Sequence, residues 1–480
     1  MKRFFTILLT TLALTGLLCV TVSAASFDGP AQELAAIGML KGGSGGFALD
    51  KAPTRTQAAI MLVRLYGAEE EAIAAYTAGE LKCPFTDVND TAAPFAAWLK
   101  DKGLASGTSE TTFGAASPCT AKAYTIFLLR ALGYKDNVDF TAADAQEFAM
   151  KLGLLDTSAL TGTFLRDDLA AMTYQALGTD MKEGDTYLLA SLIKSGAVDA
   201  EAAKPMTEKF EAYRALQASG AEAAQGLDTT VDAKMAMSLL LKGTDGGTAV
   251  DMTQKADAAV QGRIQMVLDK DLQMAMDMTV TTTEGETSET EKMEYWMKDG
   301  VVYVRSGEEA YQMPAGMGMD MESFAELVEQ SAGQKTGAAM LPFIETITAK
   351  SSGGNTVYTL TLNKAFAGML NGLVGQIMGM VPQEGLDMDM SFDLGDSSVT
   401  YTVDKNGTLK SAGADMTLKA KVNASDGKDT LAVNISVDLD MTMEVKAMGK
   451  AVKISFPDFS GFEELIGGAD GPTAIVTTVA

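Results

Sequence analysis

Hydrophobic and polar positions follow two periods along these 480 residues, and the change falls near residue 228. Before it, apolar residues recur at helical spacing; after it they alternate, as in strands with one buried face. Stretch 45–67 shows the first regime. Thr54 with Gln57 three residues on predicts a reciprocal helix cap, Ile60, Met61, Val63, Leu65 and Tyr66 supply the apolar stripe, and Gly67 can end the helix in a left-handed conformation. The pattern returns at 113–133 and 164–178, with Thr120 and Leu165 in the place of Thr54. Upstream partner helices are expected over 31–40, 93–104 and 142–155. The copies are unequally spaced, which predicts a small set of helical hairpins with variable loops and not a regular solenoid.

The second regime predicts one antiparallel sheet curling around a few helices. Residues 272–280 alternate, 295–304 form two strands around Asp299-Gly300, and 404–407 make a second turn. Strands are expected over 355–362, 398–403, 409–422 and 431–445, with a closing stretch at 451–456. Helical interruptions are expected at 321–331, 341–348 and 365–380. The fold class is thus multidomain α plus (α+β): an N-terminal helical-hairpin triple repeat and a C-terminal antiparallel sheet with packed helices. The boundaries read 1–24 signal peptide, 25–200 three repeats (25–75, 84–136, 138–200), 201–227 helical linker, 228–458 sheet domain and 459–480 tail. The leader rests on Lys2 and Arg3, an apolar run from Phe4 to Val20, and Val22-Ser23-Ala24 as a small-residue cleavage site. Leu18 stands where a lipidated Cys19 would need a small residue. No later stretch reaches about 18 uninterrupted apolar residues, so no membrane span is expected.

Charge narrows the function classes. With 63 acidic against 38 basic residues the net charge is −25, which disfavours nucleic acid and anionic lipid as partners. Histidine is absent, which removes the commonest general base, the commonest metal ligand and every histidine-dependent triad. Carboxylate chemistry on a glycan survives as an alternative, with Asp87 and Asp168 as its candidates. No cofactor and no metal are expected. Beyond the leader, Cys83 and Cys119 form an even pair, read as a disulfide that would stabilise by about 4 kcal/mol in the chain-entropy picture; two free, half-buried thiols are the other reading.

Methionine is abundant, at 30 residues, and often occurs as Met-x-Met. Thioethers select soft copper(I), but methionines at period two on a strand more simply line an adaptable apolar surface. Met274, Met276, Met278 and Trp296 are therefore the candidates for an apolar pocket. Residues 387–393 offer alternate oxygens yet lack the glycine and final glutamate of a calcium loop, so solvated strand charge is the better account.

The openings Phe27-Asp28 and Phe85-Thr86-Asp87-Val88, the worn Phe140-Thr141, the glycine-rich loop with its Phe, and the Thr-Arg helix start resemble the S-layer homology domain over roughly 26–200. The resemblance implies a pseudo-threefold unit that docks secreted proteins on the secondary polysaccharide of bacterial cell walls. Its glycan-contacting arginine falls on Arg55 and Arg166, with Ala121 in the second copy; its threonine falls on Thr54, and its glutamate on Gln57, Ala123 and Asp168. The 295–304 hairpin with Tyr311-Gln312-Met313-Pro314, the 404–409 turn and Val452 to Pro457 resemble the half-barrel superfamily of lipoprotein carriers, which implies a concave face for acyl chains. Residues 467–475 resemble a motif of sodium-pumping decarboxylase membrane subunits; without surrounding spans that activity is not carried over, and a flexible tail or a recognition or processing signal is expected.

Together these readings describe a non-enzymatic, exported protein of the cell wall or cell surface. Its repeats would associate with wall polysaccharide, and its half-barrel would take an apolar or lipidic ligand or another surface component. The alternatives are repeats used only for protein contacts, or an envelope glycan-acting enzyme.

Overall fold

The structure is a computed structural model in which residues 27–464 are described, apart from 44, 106, 155–162, 246–247, 269–271, 315–337, 367–386 and 426–429. The leader and residues 465–480, with the 467–475 motif, therefore lie outside the described residues. Helices come first: α1 Asp28–Ala36, α2 Arg55–Leu65, α3 Glu69–Thr77, α4 Ala93–Asp101, α5 Ala121–Ala131, α6 Ala145–Lys151, α7 Arg166–Gly178, α8 Leu188–Ser195 and α9 Ala200–Ser219. Among the described residues no helix is long and apolar enough to cross a membrane.

The upstream helices α1, α4 and α6 are shorter than expected, for one shared reason. Gly38, Gly103 and Gly153 take positive φ (74°, 67° and 76°) and turn the chain out of the helix. In each case the next amide bonds back across the end, Met39 to Leu34 O (2.9 Å), Leu104 to Leu99 O (2.9 Å) and Leu154 to Ala149 O (3.0 Å). The expected helices had run through these glycines.

Residues 201–227, expected as a helical linker, hold the greater part of α9, which is packed into the core. Asp199 caps it by accepting from Ala202 N at 2.8 Å. Met206, Phe210, Tyr213 and Leu216 are buried in one core with Leu341, Ile344, Leu360 and Val403, so helices and sheet share an apolar interior. Three further contacts tie the two parts. Phe27 meets Phe343 edge-on at 5.5 Å, and Gln175 Nε2 donates to Ala339 O at 3.2 Å. Gly178 leaves room for Leu341, because a Cβ there would stand 2.4 Å from Leu341 Cδ1. Glu33 on α1 accepts from Tyr174 Oη on α7 and Lys209 Nζ on α9.

The strands are β1 Gly226–Asp245, β2 Thr248–Leu268, β3 Leu272–Glu284, β4 Thr287–Lys298, β5 Val301–Ser306, β6 Glu309–Pro314, β7 Ile344–Ser352, β8 Asn355–Leu362, β9 Asp387–Val403, β10 Leu409–Ser425, β11 Thr430–Met448 and β12 Glu463–Glu464. They make a single sheet in the order β12-β6-β5-β4-β3-β2-β1-β11-β10-β9-β8-β7, antiparallel throughout except where β12 runs parallel to β6. Pairing of β1 with β11 closes the chain's long excursion at the middle of the sheet and leaves β7 and β6 with β12 at the two edges. A large antiparallel sheet with helices is consistent with a half-barrel. The Asp299-Gly300 hairpin forms as read, both residues at positive φ (52° and 70°), the conformation that matches strand twist.

Two expected helical interruptions, 321–331 and most of 365–380, lie outside the described residues. The third, 341–348, is a 3₁₀ turn at Ala338–Phe343 that passes straight into β7. Residues 451–456, expected as a closing strand, follow a short turn as an extended segment outside the ladder, because the place beside β11 is already taken by β1.

The disulfide expected between Cys83 and Cys119 is not formed; both are free thiols. Each turns to a backbone carbonyl, Cys83 Sγ to Phe85 O at 3.8 Å and Cys119 Sγ to Thr120 O at 3.6 Å. Cys119 sits in the helical core, and burial pushes its thiol up to about 11.

Candidate functional site

Strand register sorts the side chains of the sheet into two faces. On β1, Ala233, Met235 and Met237 stand opposite Met441, Leu439 and Val437 of β11 and opposite Val260, Ala258 and Ala256 of β2. From β2 the same face continues through Met266 to Met274, Ile264 to Met276 and Gly262 to Met278. It then passes to Met297, Tyr295 and Met293 on β4 and to Val302 and Val304 on β5. The expected row Met274, Met276 and Met278 thus belongs to a methionine-rich wall spanning six strands, in which Met235, Met237 and Met297 are each buried. Gly262 is part of that wall by what it lacks: a Cβ there would stand 2.4 Å from Met278 Sδ.

The wall runs on through Met443, Ala412 and Tyr401 to Tyr358, where the core shared with α9 covers it. The helical part therefore closes one end of the same face. The other face is polar over β1, β2 and β11. A shallow groove of about 450 Å³ across its centre is lined by Lys234, Asp257, Thr283, Asp415, Asp438 and Asp440, among others. Among the described residues no cluster of three or more acidic or thiol groups is placed to hold a metal.

Trp296, grouped in the sequence with the three methionines, lies on the opposite face, because it pairs with Ala275 and not with Met274 or Met276. It packs there against Phe459 and Phe462, at 5.8 and 6.0 Å between ring centres. Residues 459–464, expected as the start of the C-terminal tail, are thus docked on the sheet.

The candidate glycan residues stand at helix starts. Thr54 and Gln57 form the reciprocal cap, Gln57 N donating to Thr54 Oγ1 at 3.3 Å and Thr54 N to Gln57 Oε1 at 3.0 Å. Asp168 is buried and accepts from Leu165 N at 2.8 Å, half of the same device, since leucine has no oxygen to complete it. Arg55 donates its amide to Ser117 O at 2.8 Å, and its guanidinium carbon lies 5.0 Å from the Phe113 ring centre. Arg166 donates its amide to Lys51 O at 2.8 Å, and burial lowers its basicity. The two arginines therefore occupy equivalent but separate joints, the start of α2 against the loop before α5 and the start of α7 against the loop before α2.

Asp87 organises the first of those loops by accepting from Phe113 N, Gly114 N and Ala115 N at 2.7, 2.8 and 2.9 Å. These bonds hold its carboxyl below the usual carboxylate range, the Ala115 bond foremost. One group escaped sequence reading. Asp167 accepts from Phe27 N at 2.8 Å, and burial pushes its carboxyl up to about 7, helped by the charges of Asp168 and Asp28.

No protein-family model and no curated protein sequence matches the chain. In structure it is similar to LprF from Mycobacterium bovis, at 12% identity over 52% of this chain and 98% of that one, with a TM-score of 0.23. It is also similar to the ywiB protein from Bacillus subtilis, at 9% identity over 46% and 94% of the two chains and a TM-score of 0.10. A DUF1329 family protein from Desulfovibrio piger is a further neighbour, at 10% identity, 50% and 93% coverage and a TM-score of 0.13.

Proposed function

We propose that this is a non-enzymatic, exported envelope protein whose sheet is a half-barrel taking an apolar or lipidic ligand on its methionine face. Its helical part is an S-layer-homology-like triple repeat that associates with wall glycan. One observation carries the ligand reading: register gathers Met235, Met237, Met274, Met276, Met278 and Met297 on one face while Lys234, Asp257 and Asp440 go to the other. Unbranched, polarizable side chains repack around apolar groups of varied shape, which suits a ligand with a flexible chain. The glycan reading is supported by the equivalent placement of Arg55 and Arg166 at joints between helical units. A second reading, repeats serving protein contacts alone, is favoured by Thr54, Gln57 and Asp168, whose oxygens are engaged by helix caps. The engagement of Asp87 and Asp168 by backbone amides supports a structural role for both carboxylates in preference to acid-base chemistry.

Solvent extraction of the purified full chain followed by mass spectrometry tests the ligand. Lipid is expected in wild type and about tenfold less in Met276→Gln plus Met278→Gln, a loss equivalent to ~1.4 kcal/mol of binding. Extracts of wild type indistinguishable from a buffer blank would overturn it.

A further inference from the structure

After β11 ends at Met448, the chain crosses the polar face of the sheet to its far edge. Gln265 on β2 donates to Lys453 O at 3.3 Å on the way. Phe459 then lies flat on Tyr303, rings 3.7 Å apart and 10° from parallel, and Phe462 meets Tyr303 edge-on at 5.6 Å. The Arg305 guanidinium sits between Trp296 and Phe462, 5.3 and 5.1 Å from their ring centres, and is anchored by Glu294 at 3.2 Å. Glu463 and Glu464 finally pair with Tyr311 and Gln312 of β6.

We propose that the face formed by Trp296, Tyr303 and Arg305, with the β6 edge beside it, is a peptide-acceptor site. It is filled here in cis by residues 454–464 and open in trans to the same segment of a second copy of this chain. Three observations carry this. Strands β3 to β6 complete their ladders with one another, so the strap can leave without breaking any pairing but its own two residues. Its hold is a row of rings, Phe456, Phe459 and Phe462 spaced three apart, and this segment of the chain is the one seated on the site. Lastly, among the described residues β12 pairs with only Tyr311 and Gln312 of β6, and a strand edge with unpaired positions is a template for a strand from another chain. A short tether gives the cis segment an effective concentration of about the mM range, so the monomer dominates when dilute and exchange grows with concentration.

The test uses a fluorescent peptide of residues 452–464 and the full chain carrying Phe459→Ala and Phe462→Ala. The variant is expected to bind the peptide at least about tenfold more tightly than wild type, whose site is filled at mM effective concentration. A peptide with the same two alanines is expected not to bind. A variant with the wild-type thermal transition that binds no better than wild type would overturn the proposal, as would equal binding of the alanine peptide. Should the variant misfold, wild type decides the matter by amine cross-linking of mixed light and heavy isotope-labelled copies, followed at Lys298, whose amine lies 5.2 Å from the Phe456 ring centre, and Lys453. Mixed-isotope links that increase with protein concentration are expected, and exclusively same-isotope links would contradict exchange.

Discussion

Asp167 shows how much one side chain can depend on residues far away in sequence. Its partner Phe27 lies 140 residues earlier, and that residue's ring packs on Phe343 in the 3₁₀ turn that leads into β7. Nothing local marks Asp167 for burial, whereas its neighbours Arg166 and Asp168 stand at the repeated motif positions. Its folded-state value, pushed up to about 7, lies above its ordinary 3.8. Between those values the folded chain keeps a proton that the unfolded chain has lost, so this group's contribution to stability falls as pH rises from about 4 to about 7. Asp167→Asn keeps an oxygen for Phe27 N and removes the titration. Calorimetry from pH 5 to 8 should show the wild-type melting temperature losing a few degrees relative to the variant. Parallel pH profiles would refute the assignment. By contrast the Thr54–Gln57 cap was legible because both partners lie within one turn.

At the scale of elements, legibility followed locality. The Asp299-Gly300 hairpin and β8 at Asn355–Leu362 were readable because turn chemistry and alternation suffice to define them. Helix ends were overrun at Gly38, Gly103 and Gly153, where the turn residue itself was the signal that should have stopped them. The face to which Trp296 belongs required a register, and register is set by pairing between strands. The packing of α9 was illegible for the same reason, because its buried face meets strands more than 100 residues later. One substitution in the helical part acquires a meaning here. Arg64 reaches Met39 O and Arg130 reaches Leu104 O, while at the matching position Gln175 turns to Ala339 O in the 3₁₀ turn before β7. If α2 and α7 begin at glycan sites, Arg55→Ala plus Arg166→Ala should weaken binding to purified cell walls by about a hundredfold, the effect of losing two charge-assisted bonds of about 1.5 kcal/mol each. Equal sedimentation of wild type and variant, or of walls with and without their secondary polysaccharide, would assign these helices to protein contacts.

For the whole molecule, the central feature is an apolar face built from both halves. Strands β1 to β5 and β11 supply the methionine wall, and α9 with the 3₁₀ turn Ala338–Phe343 closes its far end through Tyr358 and Tyr401. A chain with no histidine and a net charge of −25 has its distinguishing chemistry in thioethers and carboxylates, and at the centre of β1, β2 and β11 the two lie on opposite faces. The most direct measurement is photocrosslinking of the full chain with a diazirine-bearing fatty acid, mapped by peptide mass spectrometry. Label is predicted on residues 231–237, 274–280, 293–297 and 437–443, at side chains of the methionine face. Label confined to the polar face around Lys234, Asp257 and Asp440, or no label above that of heat-denatured protein, would contradict an apolar ligand on this sheet.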